Sequence, residues 1–455
     1  MSDITINYKG STLGTMDASG TATIQTEGKY CEDDITLQYV KPSGGGEVPI
    51  KDVVFWDYDG TPLYSYTLTE ANALTALPAN PTHEGLTAEG WNWTLQDIKD
   101  QISECPGGTI DVGQTYIPND NKTRIYITIP DGEPLTFYLR LGCSVTGNCT
   151  IDWGDGSTEL TTQTGAKTYE HTYSAAGNYV IKLSVSSGTY NLAGSNSSSN
   201  RLYGNENNGY NRTRIKKIEL GANVYLPDYA LNSCMGLETI TISKEVISFG
   251  IGVFGSAVYP LKALIFPKKD SYPGNYTNIL GELYLLSVYS QPKNMPIIKR
   301  TNCKAIKRVT VTKAGFNQGG EFTGTGIEKA VFPTSGLTEI PSVFNGCNML
   351  RNFTIPSSIT TIGNESFKQC NSLSKIVIPS SVTTIGNSVF HSIGGLMEVH
   401  MQPTTPPSLG TNVFWGTSSE LVIYVPYSED HSVLNDYQTA SNWLSYASKM
   451  QEEPQ

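Results

Sequence analysis

The stretch Ile355-Pro356-Ser357-Ser358-Ile359-Thr360-Thr361-Ile362-Gly363 returns 23 residues later as Ile378-Pro379-Ser380-Ser381-Val382-Thr383-Thr384-Ile385-Gly386. Outward from this pair, a motif of the form apolar-x-x-apolar-x-apolar, often followed by Pro, ends at Leu220, Ile242, Phe266, Val288, Val311, Phe332, Ile355, Ile378, Met401 and Val425. Spacing stays between 21 and 24 residues across the ten copies. Later copies add an aromatic at Phe344, Phe367, Phe390 and Phe414. A period near 23 with one short strand per turn predicts a solenoid, because so small a unit buries its apolar face only against its neighbours.

The particular wording IPSSVTTIGNSVF, with C-x-x-L elsewhere in the unit, resembles the BspA-type (treponemal) leucine-rich repeats over residues 213–427. Cysteines obey the same period. Cys234, Cys303, Cys347 and Cys370 each precede the first strand residue of a copy (Leu237, Ile306, Leu350, Leu373) by three positions, and the slot in other copies is read as Gly324 or Ile393. A slot that accepts Cys, Gly or Ile is a buried, space-filling one, where free Cys acts as a small hydrophobe. No base is spaced to activate a thiol there.

Upstream, the chain reads as a string of modules. Residues 1–41 alternate apolar and polar at Ile4, Ile6 and Tyr8 and again at Ile35, Leu37 and Tyr39, which predicts a small β module. Lys41-Pro42-Ser43-Gly44-Gly45-Gly46 reads as a flexible linker. Residues 51–118 predict an α+β module, with a hairpin turned at Asp59-Gly60 and helices opening near Thr69 and Thr94. His83, Glu84, Trp91 and Trp93 lie close together there. Packing of the tryptophans and a loop-carbonyl bond for His83 account for them better than a metal or acid–base site. The phrases FWDYDGTPLYSYT, LPANPTHEGLTAEGWNW and GKYCEDDITLQYV resemble modules recurring in structural proteins of tailed phages and prophages of gut bacteria.

Residues 119–187 carry five strand-like runs around Trp153-Gly154-Asp155-Gly156, Tyr169-Glu170-His171-Thr172-Tyr173 and Gly177-Asn178-Tyr179. This wording resembles the polycystic-kidney-disease (PKD) type immunoglobulin-like domain, which implies a β-sandwich used as a spacer or interaction module. Asp152 and Asp155 read as turn formers rather than Ca²⁺ ligands. Residues 188–212 are rich in Ser, Asn and Gly and read as a loop. Residues 428–455 predict a helical cap and tail, capped by Ser428-Glu429-Asp430 and carrying Leu434, Tyr437, Trp443, Leu444 and Ala447. The fold class expected is mainly β and multidomain, ending in a leucine-rich-repeat solenoid.

Composition narrows the function. The 455 residues include 31 Lys+Arg against 42 Asp+Glu, a net charge of −11, and only 16% are charged. With no basic stripe, counterion release from phosphate backbones gives no affinity, which argues against a nucleic-acid partner. No run of about 18 apolar residues suggests membrane insertion. MSDITINYKG lacks the basic and apolar regions of a signal peptide, and SYASKMQEEPQ lacks a hydrophobic tail, so export by another route is expected. Eight cysteines without a C-x-x-C pair do not form a zinc or disulfide framework. Cys143 and Cys149 are near enough to bridge, and thiols or a disulfide both remain open.

No nucleophile–base set, phosphate loop or metal constellation is legible. The chain is therefore expected to be a non-enzymatic binding protein without cofactor or metal. Its binding residues are expected on the outward strand positions of the repeats: Asn352, Thr354, Lys375, Val377, Glu398 and His400. Two readings follow. In one the chain is a virion fibre or decoration protein, attached to other virion proteins and to sister copies through residues 1–118, with the repeats displayed toward a host-surface or mucus glycan or protein. In the other it is a bacterial cell-surface adhesin of the BspA type. An extracellular glycan-active enzyme is a weaker third.

Overall fold

The computed structural model describes residues 49–193, 202–203, 210–254, 260–270, 288–295, 306–313, 316 and 319–455, with the backbone of three strands nearer the N-terminus. The chain divides into two compact units, residues 1–49 and 50–455. In the first, strands Ile4–Tyr8, Ser11–Met16 and Ala22–Ile24 form an antiparallel sheet. Ile35–Tyr39, the linker at 41–46, Cys31 and Cys303 lie outside the described residues.

The second unit begins with a four-stranded sheet in the spatial order Pro62–Tyr66, Val53–Trp56, Ile110–Pro118, Leu86–Trp91. Helix Leu95–Glu104 opens with a reciprocal capping box between Thr94 and Asp97, and the single-turn helix Leu68–Asn72 uses Thr67 and Glu70 in the same way. Val53, Phe55, Ala71, Trp91, Trp93, Ile98, Ile110 and Val112 make a small core separate from the rest of the chain. Phe55 meets the edge of Trp91 with centroids 4.9 Å apart. His83 does not take the loop carbonyl expected for it: its Nε2 meets the buried Asp57 carboxylate at 2.8 Å, and Tyr116 donates to the other carboxylate oxygen.

From Thr123 the chain builds two facing sheets. One runs Thr158–Leu160, Cys149–Asp152, Gly177–Val185, Thr123–Ile129; the other begins with Gly165–Thr172 and Thr136–Cys143. Strand Thr123–Ile129 alternates strictly, with Thr123, Ile125, Ile127 and Ile129 turned inward. The boundary expected at 187 is not there. Ile215–Glu219 joins the first sheet antiparallel to Thr123–Ile129, and Thr239–Thr241 then adds in parallel. On the opposite side Tyr190–Leu192 pairs with Thr136–Cys143 and receives Val224–Leu226 in parallel. Part of the expected loop is thus strand, and Leu202 and Tyr203 are buried. Each sheet of the sandwich continues into one face of the solenoid, so its first coil has no exposed ladder edge. One core extends unbroken from Ile125 to Met450.

The solenoid differs from expectation in three details. Its later coils have two short strands each: Lys375–Ile378, Glu398–Met401 and Val422–Val425 form one parallel ladder, while Glu339–Ile340, Thr361–Ile362, Thr384–Ile385 and Ser408–Leu409 form another. The fourth copy is shifted. Ala263 pairs with Val288 and Ile265 with Ser290, so the partner of Phe266 is Gln291 rather than Val288. The cysteine slot in the sixth copy is Thr325, one residue after Gly324: Thr325 N–H bonds to Phe322 C=O just as Cys347 bonds to Phe344 and Cys370 to Phe367.

Residues 432–452 are not one helix. Ser432–Thr439 is α-helical, Leu444–Lys449 is 3₁₀, and Met450–Glu452 adds a further parallel strand beside Val422–Val425. Asp430 and Ser428 accept the first helical N–H groups at Ser432 and Val433. Tyr437 and Trp443 are fully buried and donate to the carbonyls of Pro403 and Pro407.

The module of residues 50–118 packs on the strand side of the early coils. An added Cβ on Gly113 would come within 2.3 Å of the Ile265 side chain, and one on Gly108 within 2.8 Å of Thr310. Asn92 Nδ2 donates to Phe266 C=O and Ser290 Oγ, and Trp93 Nε1 donates to Gln291 C=O. Charges on the two sides are complementary: Lys268 pairs with Asp97, and Lys293 and Lys313 pair with Glu104. The small core needs a partner, as its size implies. For residues 50–118 that partner is the chain's own solenoid.

Candidate functional site

Where the module ends, the strand face opens. Along Lys375–Ile378 and its successors, Ile376, Ile378, Val399, Met401, Ile423 and Val425 point inward, and the alternate residues point out. Parallel register lines these outward residues up in two rows. Lys375, Glu398 and Val422 form one, and Val377, His400, Tyr424 and Gln451 the other.

The rows are joined through His400. Its ring lies nearly flat on Tyr424, with centroids 4.6 Å apart and planes 18° from parallel. Nδ1 meets Glu453 Oε1 at 2.5 Å, and Nε2 meets Glu398 Oε2 at 3.0 Å. Lys375 Nζ reaches the same Glu398 oxygen at 2.9 Å. Hydrogen bonding from His400, then from Lys375, holds the Glu398 carboxyl below its ordinary value. With a carboxylate at each ring nitrogen, the imidazole cannot rotate without giving up a partner. The result is a pre-ordered surface of one aromatic face, two carboxylates and one ammonium group.

Of the expected residues, the fold brings Lys375, Glu398 and His400 into one connected set. Asn352, Thr354 and Val377 stand exposed on the same side but outside it. Asn352 pairs with Lys329 in an isolated parallel bridge. Tyr424 and Glu453 complete the set and were not anticipated. Tyr424 was legible, since it lies between the inward Ile423 and Val425 of the tenth copy. Glu453 was not, because the strand at Met450–Glu452 does not carry the repeat.

The other polar clusters serve the fold. Asp155 accepts from the Ser157 N–H and hydroxyl and pairs with His171 at 2.7 Å, and His171 stacks on the buried Trp153. Asp152 accepts from Gly154 N–H, and Tyr173 ties its hydroxyl to Trp153 C=O. Cys347 and Cys370 are buried free thiols whose Sγ atoms donate to Phe322 and Phe344 carbonyls one coil back. Burial raises the Cys370 thiol well above its ordinary value. Among the described residues, no group of three or more His, Cys, Asp and Glu side chains is placed to hold a metal ion, and no helix is long and apolar enough to cross a membrane.

A family model described as the BspA type leucine rich repeat region matches six copies, over residues 191–278 and 318–435. The coils in these two stretches are BspA-type leucine-rich repeats. The match begins at residue 191, inside the strand where the sandwich sheet passes into the solenoid. Among solved structures, a leucine rich cell surface protein from Faecalibacterium prausnitzii is similar at 17% identity with a TM-score of 0.25, covering 50% of this chain and 87% of its own. A leucine-rich repeat protein from Bacteroides ovatus is similar at 15% identity and the same TM-score of 0.25, covering 68% of this chain and 99% of its own. No curated protein matches the chain.

Proposed function

We propose that this protein is a non-enzymatic, surface-displayed adhesin whose open BspA-type strand face binds a host protein or mucus glycan. The observation that carries this reading is the division of the strand face. Module 50–118 occupies it over the early coils, whereas Lys375, Glu398 and Tyr424, with the part-buried His400 between them, lie clear of the module and mutually ordered over the late ones. A pre-ordered polar and aromatic surface loses little side-chain entropy when a ligand docks. The repeat family favours the adhesin over the virion reading raised by the phage-like phrases, and the PKD-like sandwich then acts as a first cap for the solenoid rather than a free spacer. Because residues 50–118 pack on the solenoid, this reading gives the main attachment role to residues 1–49.

The test is binding of the full chain to immobilised extracellular-matrix proteins and mucin-type glycans. Binding to one of these classes, weakened when Lys375 and Tyr424 are replaced by Ala, is the expected result. Failure to bind either class, with the chain instead incorporated into phage particles, would overturn the proposal in favour of the virion reading.

A further inference from the structure

Cys143 and Cys149 belong to opposite sheets of the sandwich. Cys143 ends strand Thr136–Cys143, where it lies opposite Gly165 on one side and Tyr190 on the other. Cys149 begins strand Cys149–Asp152 in the facing sheet, opposite Val185. Both are buried free thiols close enough to act on each other's ionisation, and Cys149 Sγ also donates to Thr150 C=O. The connection between them, residues 144–147, is exposed. Its ends are held by Ser144 N–H to Thr189 C=O and Gly147 N–H to Thr161 C=O. Elsewhere, Cys347 and Cys370 each donate to a backbone carbonyl one coil back, and the Cys105 thiol donates to Val311 C=O.

We propose that Cys143 and Cys149 form a redox site that closes into an inter-sheet disulfide when the chain meets a disulfide oxidant, either a low-molecular-weight disulfide or a protein disulfide. The inference is independent of the adhesin reading, since it rests on the sandwich core alone. The Cys143 thiolate attacks one sulfur of the oxidant, which forms a mixed disulfide and releases the first thiol. The Cys149 thiol loses its proton and attacks Sγ of Cys143, which releases the second thiol. Two electrons and two protons pass to the oxidant, and one S–S bond forms as another breaks. The order follows from the surroundings. The nearby Cys149 lowers the Cys143 thiol against the opposing effect of burial, while the nearby Cys143 and burial push Cys149 up. Cys143 also adjoins the exposed turn and is the thiol an oxidant reaches first. Closing the bridge ties the two sheets together within the sandwich core.

The experiment treats the full chain with oxidised glutathione, blocks remaining thiols under denaturing conditions and maps the cysteine peptides by mass spectrometry. A 143–149 linkage is expected, with Cys105, Cys234, Cys347 and Cys370 all alkylated. The oxidised chain should melt at a higher temperature than the reduced one, a difference that vanishes in Cys149→Ser. That variant should instead retain a glutathione adduct at Cys143. Full alkylation of both residues after oxidation, or a linkage from either of them to Cys31 or Cys303, would overturn the proposal. The mapping uses the unaltered protein, so misfolding of the variant would not rescue it.

Discussion

Phe367 stacks on Phe390, with centroids 5.7 Å apart and planes 14° from parallel. The same step recurs from Phe344 to Phe367 at 5.6 Å and from Phe390 to Phe414 at 5.6 Å. Stacked strands rise about 4.8 Å per coil, so successive rings are offset rather than eclipsed, the favoured geometry for aromatic pairs. The ladder ends on Trp443 and Tyr446. Phe367→Ala removes a ring with partners on both sides and should cost about 3–5 kcal/mol. Urea unfolding followed by tryptophan fluorescence and circular dichroism measures the loss. A change below about 1 kcal/mol would mean the ladder is not continuous.

Asn92 is the polar hinge between the module and the solenoid. It serves Phe266 C=O, Ser290 Oγ and Gly113 N–H while almost wholly buried. Asn92→Ala leaves these groups without that partner and should destabilise the chain by about 1–3 kcal/mol. Faster amide exchange is expected at 110–113 and 263–266, and unchanged exchange at 398–401. Uniform exchange across both regions would show that the module and the early coils do not share the contact.

Asp155 predicts an acid-sensitive sandwich. Burial acts to raise its pKa, but hydrogen bonds from Ser157 and pairing with His171 outweigh it and lower the carboxyl from 3.8 to about 2. A group with a depressed folded pKa contributes stability above its unfolded value and loses that contribution as pH falls through its folded value. The difference in urea midpoint between wild type and Asp155→Asn should therefore be full above pH 4, shrink from there toward pH 2 and vanish below. A difference that stays constant through this window would contradict the assignment.

The repeat made the late coils readable almost residue by residue, because each inward position recurs at fixed spacing from Phe332 to Val425. Reading failed where the recurrence weakens. Val288 fits the apolar pattern and Gln291 does not, so only the pairing of Ala263 with Val288 reveals the shift. Gln291 escaped notice because the module, not water, covers it: Trp93 bonds to its carbonyl, and its own amide donates to Met295 C=O. The fusion of sandwich and solenoid was hidden for a similar reason. Tyr190-Asn191-Leu192 is too short to stand out in a Ser/Asn/Gly-rich stretch, and its strand character comes from neighbours on both sides. At the site, Lys375, Glu398 and His400 follow from strand alternation, whereas Glu453 follows a strand that lies outside the repeat.

The measurement that bears most directly on the account compares two sets of substitutions on one strand side of one protein. Lys375→Ala, His400→Ala and Tyr424→Ala alter the open face; Lys268→Ala and Lys293→Ala alter the face beneath the module. Binding of each full-length variant to the matrix protein or mucin glycan that wild type recognises is measured by surface plasmon resonance, with thermal unfolding as a check on folding. The account predicts at least a tenfold loss of affinity, about 1.4 kcal/mol, for the open-face variants while they remain folded, and wild-type affinity for any folded variant of the covered face. Undiminished binding by a folded Lys375/His400/Tyr424 triple variant would contradict it.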